Sequence, residues 1–153
     1  MINKQSLRQQ LLQILHDQRA NALTAADSAH DAATHEQSVA ETQYDTVGLE
    51  AAYLAHGQSQ RVMECDVMIQ RLSALALRDF TDNDEIGYGA LVTLSNNQVY
   101  WLLPVCGGAR LKYASVSEQT ITVVTDQSPL GQMLEGAEIA EVLANGHTII
   151  AIC

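Results

Sequence analysis

A chain of 153 residues with 47% apolar side chains has room for one compact domain, or for one small domain plus an extended element, and its composition excludes a disordered chain. Eighteen acids against eight bases give a formal net charge of −10, which excludes coating of duplex DNA through its phosphates and favours basic protein surfaces or metal ions as partners. No apolar run reaches membrane-spanning length, and Cys65, Cys106 and Cys153 are too scattered for a disulfide framework or a zinc site.

The N-terminus from Met1 to Leu12 is polar and amphipathic, unlike a signal peptide, so a reducing cytoplasm is the expected setting. From Leu11, apolar and small residues recur at steps of four and three: Leu11, Leu15, Gln18, Ala22, Ala25, Ala29 and Ala32. A second seam runs Tyr44, Val47, Ala51, Leu54, Gln58, Val62, Cys65, Ile69, Leu72 and Ala76, with one extra step of four, a stutter, between Leu54 and Val62. Two such seams predict an antiparallel helical hairpin. Pairing Leu11 with Ile69 and Leu15 with Cys65 places its turn near Ala40. About 33 residues per arm at about 1.5 Å rise make a finger of roughly 50 Å. Gly48 and Gly57 each cost about 1 kcal/mol relative to alanine, and the helix is expected to continue through them. The alternative is a bundle of three or four shorter helices broken there.

Charge is separated along this half. No Lys or Arg lies between Arg19 and Arg61, while Asp27, Asp31, Glu36, Glu41, Asp45 and Glu50 do. Lys4, Arg8, Arg19, Arg61, Arg71 and Arg78 fall toward the base. A solvated face ordinarily mixes signs, so an acidic tip on a thin rod fits a positive or metal-containing cavity. Asp31 and His35 share a helix face beside His30 and Glu36, but no third ligand is spaced to complete a metal site.

After Arg78 the period changes, and residues 1–79 and 80–153 read as two domains. Strands are predicted at Ala90–Leu94, Val99–Val105, Leu111–Ala114 and Ile121–Thr125, with turns at Asn96-Asn97 and Cys106-Gly107-Gly108. Ser128 can cap a short helix that has Pro129 at its first position and Gly136 beyond its end. Glu138–Leu143 and Thr148–Ile152 flank Asn145-Gly146 as a closing hairpin. The fold class is therefore α+β. No nucleophile constellation, phosphate loop or dinucleotide fingerprint is present.

The segment Thr125-Asp126-Gln127-Ser128-Pro129-Leu130-Gly131-Gln132-Met133-Leu134-Glu135-Gly136 resembles the Ser-Pro-x-Gly-x-x-Leu-x-Gly signature of the Gre-type bacterial transcription elongation factors. The matching positions are Ser128, Pro129, Gly131, Leu134 and Gly136. The resemblance implies a coiled-coil finger joined to an FKBP-like C-terminal domain, and covers essentially the whole chain. It also implies a non-enzymatic factor that binds RNA polymerase through the secondary channel, with no membrane and no sequence-specific DNA partner.

In that family, tip acids hold a Mg²⁺ shared with the polymerase and so help to cleave backtracked RNA. Anchoring the family's tip pattern on Tyr44 puts Gln37 and Ala40 at the two essential acids, and Gln43 at the last. Glu36 and Glu41, five residues apart instead of three, are then the candidate Mg²⁺ ligands, with Asp45 as a third acid. Weak cleavage stimulation, or competition with factors that cleave, is the expectation. Two other readings are an FKBP-like peptidyl-prolyl isomerase, for which few aromatics remain to line a pocket, and a structural coiled-coil adaptor.

Overall fold

The computed structural model describes residues 2–39, 47–115 and 117–153, with side chains described outside 34–47 and 114–118. Two long helices, α1 (Lys4–Val39) and α2 (Val47–Ala74), pack antiparallel and are followed by a five-stranded mixed sheet. Neither helix contains proline, and α2 runs unbroken through Gly57, which removes the alternative of a break there, while the residues preceding Val47 lie outside the described ones. The expected turn near Ala40 lies outside the described residues. The chain packs as two compact units, one of Leu12–Gln70 and one of Met1–Leu11 with Arg71–Cys153.

In the helical unit, Leu15, Ala22, Ala26, Ala29 and Ala33 of α1 and Ala55, Val62 and Cys65 of α2 are buried. The seam thus departs from the expected one. Ala26 and Ala33 replace Ala25 and Ala32, Gln18 is exposed, and Ala55 is buried while Leu54 is 56% exposed. The physical reason is helix geometry. At about 100° per residue, a heptad falls about 20° short of two turns and an 11-residue step overshoots three turns by about 20°, so mixing the two holds one face on a nearly straight helix. Leu15, Ala22 and Ala29 keep the heptad, and other buried residues take the 11-residue spacing. Leu11, Ala22 and Ala33 follow that spacing, as do Leu15 and Ala26. Among the described residues one ion pair ties the helices, Arg19 Nε to Asp66 Oδ1 at 2.6 Å, and this hydrogen bond raises the guanidinium pKa further.

In the other unit the strands are β1 (Leu91–Leu94), β2 (Val99–Leu102), β3 (Arg110–Ser115), β4 (Ser117–Val124) and β5 (Ile149–Ile152), in the order β3-β4-β2-β1-β5. Neighbours are antiparallel except β2 and β4, which run parallel with Val99 opposite Ile121. A helix α3 (Pro129–Leu134) follows β4. Phe80, Ile86, Val92, Leu94, Leu102 and Leu134 are among the residues of its buried core. Trp101 is fully buried, and its indole N–H donates to the Gly89 carbonyl at 3.1 Å, which satisfies the one polar atom a buried tryptophan carries.

Turn chemistry follows the sequence closely. Asn97 and Cys106 adopt positive φ (62° and 65°) in the two predicted turns. The closing hairpin is different. The Asn145-Gly146 turn is present, with the Leu143 N–H bonded to the His147 carbonyl at 2.8 Å, but Glu138–Leu143 forms no strand. Ala140 sits at φ 69° and Glu141 closes a tight turn on Glu138, so the segment cannot extend. A single bridge, Val142 with Thr148, remains, and β5 pairs with β1 instead.

The connector after α2 is held by Asp84. Its carboxylate accepts from the Thr81 backbone N–H (2.8 Å) and hydroxyl (2.9 Å), with Arg78 at 3.8 Å. These bonds, the backbone one foremost, hold its pKa below the ordinary carboxylate range. A folded-state pKa depressed in this way contributes stability above the unfolded value of about 4, lost as pH falls through the folded value. Asp84→Asn is therefore expected to lower stability at neutral pH, and the difference from wild type should shrink below about pH 4 in acid-denaturation curves.

Candidate functional site

The segment that carries the family resemblance is a strand-to-helix corner. β4 ends at Val124, Thr125 to Gln127 turn the chain, and Ser128 caps α3. Ser128 Oγ accepts from the Gly131 N–H at 3.0 Å and donates to the Thr125 carbonyl at 2.8 Å. Pro129 occupies the first turn, where no N–H is needed.

The Thr125 carbonyl lies directly beneath Gly131. A Cβ built on Gly131 would stand 1.7 Å from that oxygen, so only glycine fits. Leu134 is fully buried in the core, and Gly136, at φ 77°, donates its N–H to the Ile86 carbonyl at 2.8 Å. Ile86 in turn donates to the Ala137 carbonyl at 2.9 Å. The five motif residues thus start α3, fix its close approach to the Thr125 carbonyl, bury Leu134 in the core and tie the chain after α3 to Ile86. Beside the corner, burial raises the Tyr88 hydroxyl pKa, and a hydrogen bond with Asp126 raises it further.

The candidate tip acids divide differently. Glu41 and Asp45 lie outside the described residues, and Glu36 belongs to α1 with its side chain outside them. Asp27, Asp31 and Glu50, further along the same acidic stretch, are exposed. Among the described residues no group of three His, Cys, Asp or Glu is placed to hold a metal ion. His30 and His56 do line one shallow groove between the helices together with Asp27, a proximity the sequence reading did not anticipate. Among the described residues, no helix is long and apolar enough to cross a membrane.

No family model and no curated protein matches the chain. Among solved structures it is similar to the GreA factor homolog 1 (Gfh1) protein of Thermus thermophilus, with 19% identity, 93% of this chain and 94% of that chain covered, and a TM-score of 0.31. A second structure, of the transcription factor Gfh1, gives 21% identity, 95% and 92% coverage, and a TM-score of 0.33. At these scores the likeness lies in coverage, not in close superposition.

Proposed function

We propose that the protein is a Gre-like transcription factor that binds RNA polymerase at its secondary channel and carries acids on the helical hairpin toward the active-site Mg²⁺. The observation that carries this reading is the Ser128–Gly136 corner, where each residue of the family signature has a physical task in one compact turn. The order of elements, a long helical hairpin followed by a sheet with this corner, supports it. So does the separation of charge, with no Lys or Arg from Ala20 to Gln60.

In this role the chain supplies no catalytic centre of its own. Its carboxylates would add oxygen ligands to a metal that the polymerase holds, and a hard cation bound by few ligands gains most from such an addition. The chemistry then belongs to the polymerase. The factor modulates elongation or initiation.

The test is competition. The protein is expected to be retained by immobilised core RNA polymerase and to be displaced by an excess of a Gre-type cleavage factor. Affinity for duplex DNA alone should be negligible at physiological salt, given the charge of −10. Simultaneous occupancy with the Gre factor, or tight duplex binding without polymerase, would overturn the reading.

A further inference from the structure

One face of the sheet carries a groove across β2, β4 and β3. There Arg110 of β3, Thr122 of β4 and Tyr100 of β2 stand in one row, since Arg110 pairs with Thr122 and Tyr100 with Thr122. Paired residues share a face, so Thr120 and Lys112 form the next row on the same side. Arg110, Thr120, Thr122, Tyr100, Gln98 and Gln119 line a groove of about 520 Å³. Every lining side chain is neutral or cationic, and none is a carboxylate.

That sign is unusual here. Beyond Arg78 the sequence holds nine acids, and Arg110 and Lys112 are its only Lys or Arg. Of the other cations in this unit, Lys4 donates to the Arg78 carbonyl, Arg8 to the Leu75 carbonyl, and Arg78 lies beside Asp84, while Arg71 stands in the last turn of α2. Among the described residues neither Arg110 nor Lys112 has an ion-pair partner. Both side chains are exposed.

Among the described residues the same strand has no neighbour on its outer side, because β3 ends the sheet order. The Val123 N–H bonds to the Ala109 carbonyl at 2.8 Å, and in an antiparallel ladder the bonded pairs alternate. Arg110 and Lys112 therefore turn their own N–H and C=O groups outward. A cationic edge repels a second copy of itself, which guards against self-association. It also selects a partner of opposite charge.

We infer that β3 is a docking edge for an extended acidic peptide, which adds as a strand and sets two carboxylates, two residues apart, against Arg110 and Lys112. Backbone pairing supplies sequence-independent affinity, and the carboxylate spacing supplies selectivity, because alternate side chains of a strand share one face. The guanidinium of Arg110 can take a carboxylate in a two-bond fork, while the Thr120 and Thr122 hydroxyls line the groove for neutral groups and the Tyr100 hydroxyl donates to the Gln98 side chain. A polyanionic nucleic acid suits the site less well, since repulsion from a chain of charge −10 grows with every phosphate, whereas a short peptide brings two or three charges.

The experiment uses the full chain and a fluorescein-labelled octapeptide of alternating valine and glutamate. Anisotropy should report saturable binding that weakens with salt, and Arg110→Gln with Lys112→Gln should raise the dissociation constant about tenfold or more. A peptide of the same charges N-methylated at every residue cannot pair as a strand along either of its edges, and it should not bind. Circular dichroism of the double variant checks that the fold is kept, and since the methylated peptide leaves the protein untouched, that arm decides even if the variant fails to fold. Equal binding by the methylated peptide, unchanged affinity in a folded double variant, or tighter binding of a single-stranded RNA octamer than of the peptide would each overturn the inference.

Discussion

Gly131→Ala is expected to destabilise the sheet-containing unit by about 3 kcal/mol or more, among the larger effects available to a single methyl group. The added Cβ would meet the Thr125 carbonyl oxygen at 1.7 Å and its carbon at 2.6 Å. Neither can retreat, because that carbonyl already accepts from the Ser128 N–H at 3.1 Å and from Ser128 Oγ at 2.8 Å. Relief requires α3 to lift, and Leu134 leaves the core with it. In a thermal melt this corresponds to a loss on the order of 10–20 °C.

Two other glycines serve as controls with different signs. Gly136→Ala meets no atom within 4 Å and pays only for its φ of 77°, about 1 kcal/mol. Gly57→Ala, exposed within α2 with nothing within 4 Å, should stabilise by about 1 kcal/mol. If Gly131→Ala melts with wild type, the corner is not the close approach described.

The second large effect is functional. Replacing Glu36 and Glu41 with glutamine and Asp45 with asparagine keeps side-chain size and removes three negative charges. Affinity for RNA polymerase should change by no more than about 1 kcal/mol, as for exposed charges in screened solvent. Any Mg²⁺-dependent effect on the polymerase should be abolished, because an amide oxygen is a far poorer ligand for a hard cation than a carboxylate. Backtracked-RNA cleavage and binding are measured for both proteins. Robust wild-type cleavage that survives the triple substitution would remove these residues from the mechanism.

Much of the fold is legible in the residues themselves. Turn chemistry is local, so Asn96-Asn97, the Cys106 turn and the Ser128-Pro129 helix start are read from a few adjacent side chains. The helical hairpin is legible because two long seams free of proline admit little else. What escapes is set by partners distant in sequence. The parallel register of β2 on β4 leaves no mark in either strand, and the pairing of β5 with β1 overrides the nearer Glu138–Leu143 segment. The phase of the helix seam escapes too, since Ala25 and Ala26 are chemically identical and only the facing helix chooses between them. At the candidate site, the role of Gly131 is visible only once the Thr125 carbonyl is placed under it. The Arg110 and Lys112 pair did carry a signal, as isolated cations in an acidic half, but their common face with Tyr100 and Thr122 required the sheet.

The carbonyls of Leu75 and Arg78 follow the end of α2 and belong to neither helix nor strand. They are satisfied from the start of α1, by Arg8 at 2.7 Å and by Lys4 at 2.7 Å, and Lys4 lies 4.8 Å from the Phe80 ring centre. Burial lowers the Lys4 pKa, so this ammonium gives up hydration to make its contact. Two stretches some seventy residues apart thus share one latch. Neither can fray alone, because opening one strands the other's charges or carbonyls. In amide hydrogen exchange, the first turns of α1 and the segment leading to Phe80 are expected to open as a single cooperative unit, with matched protection that Lys4→Met should lower in both.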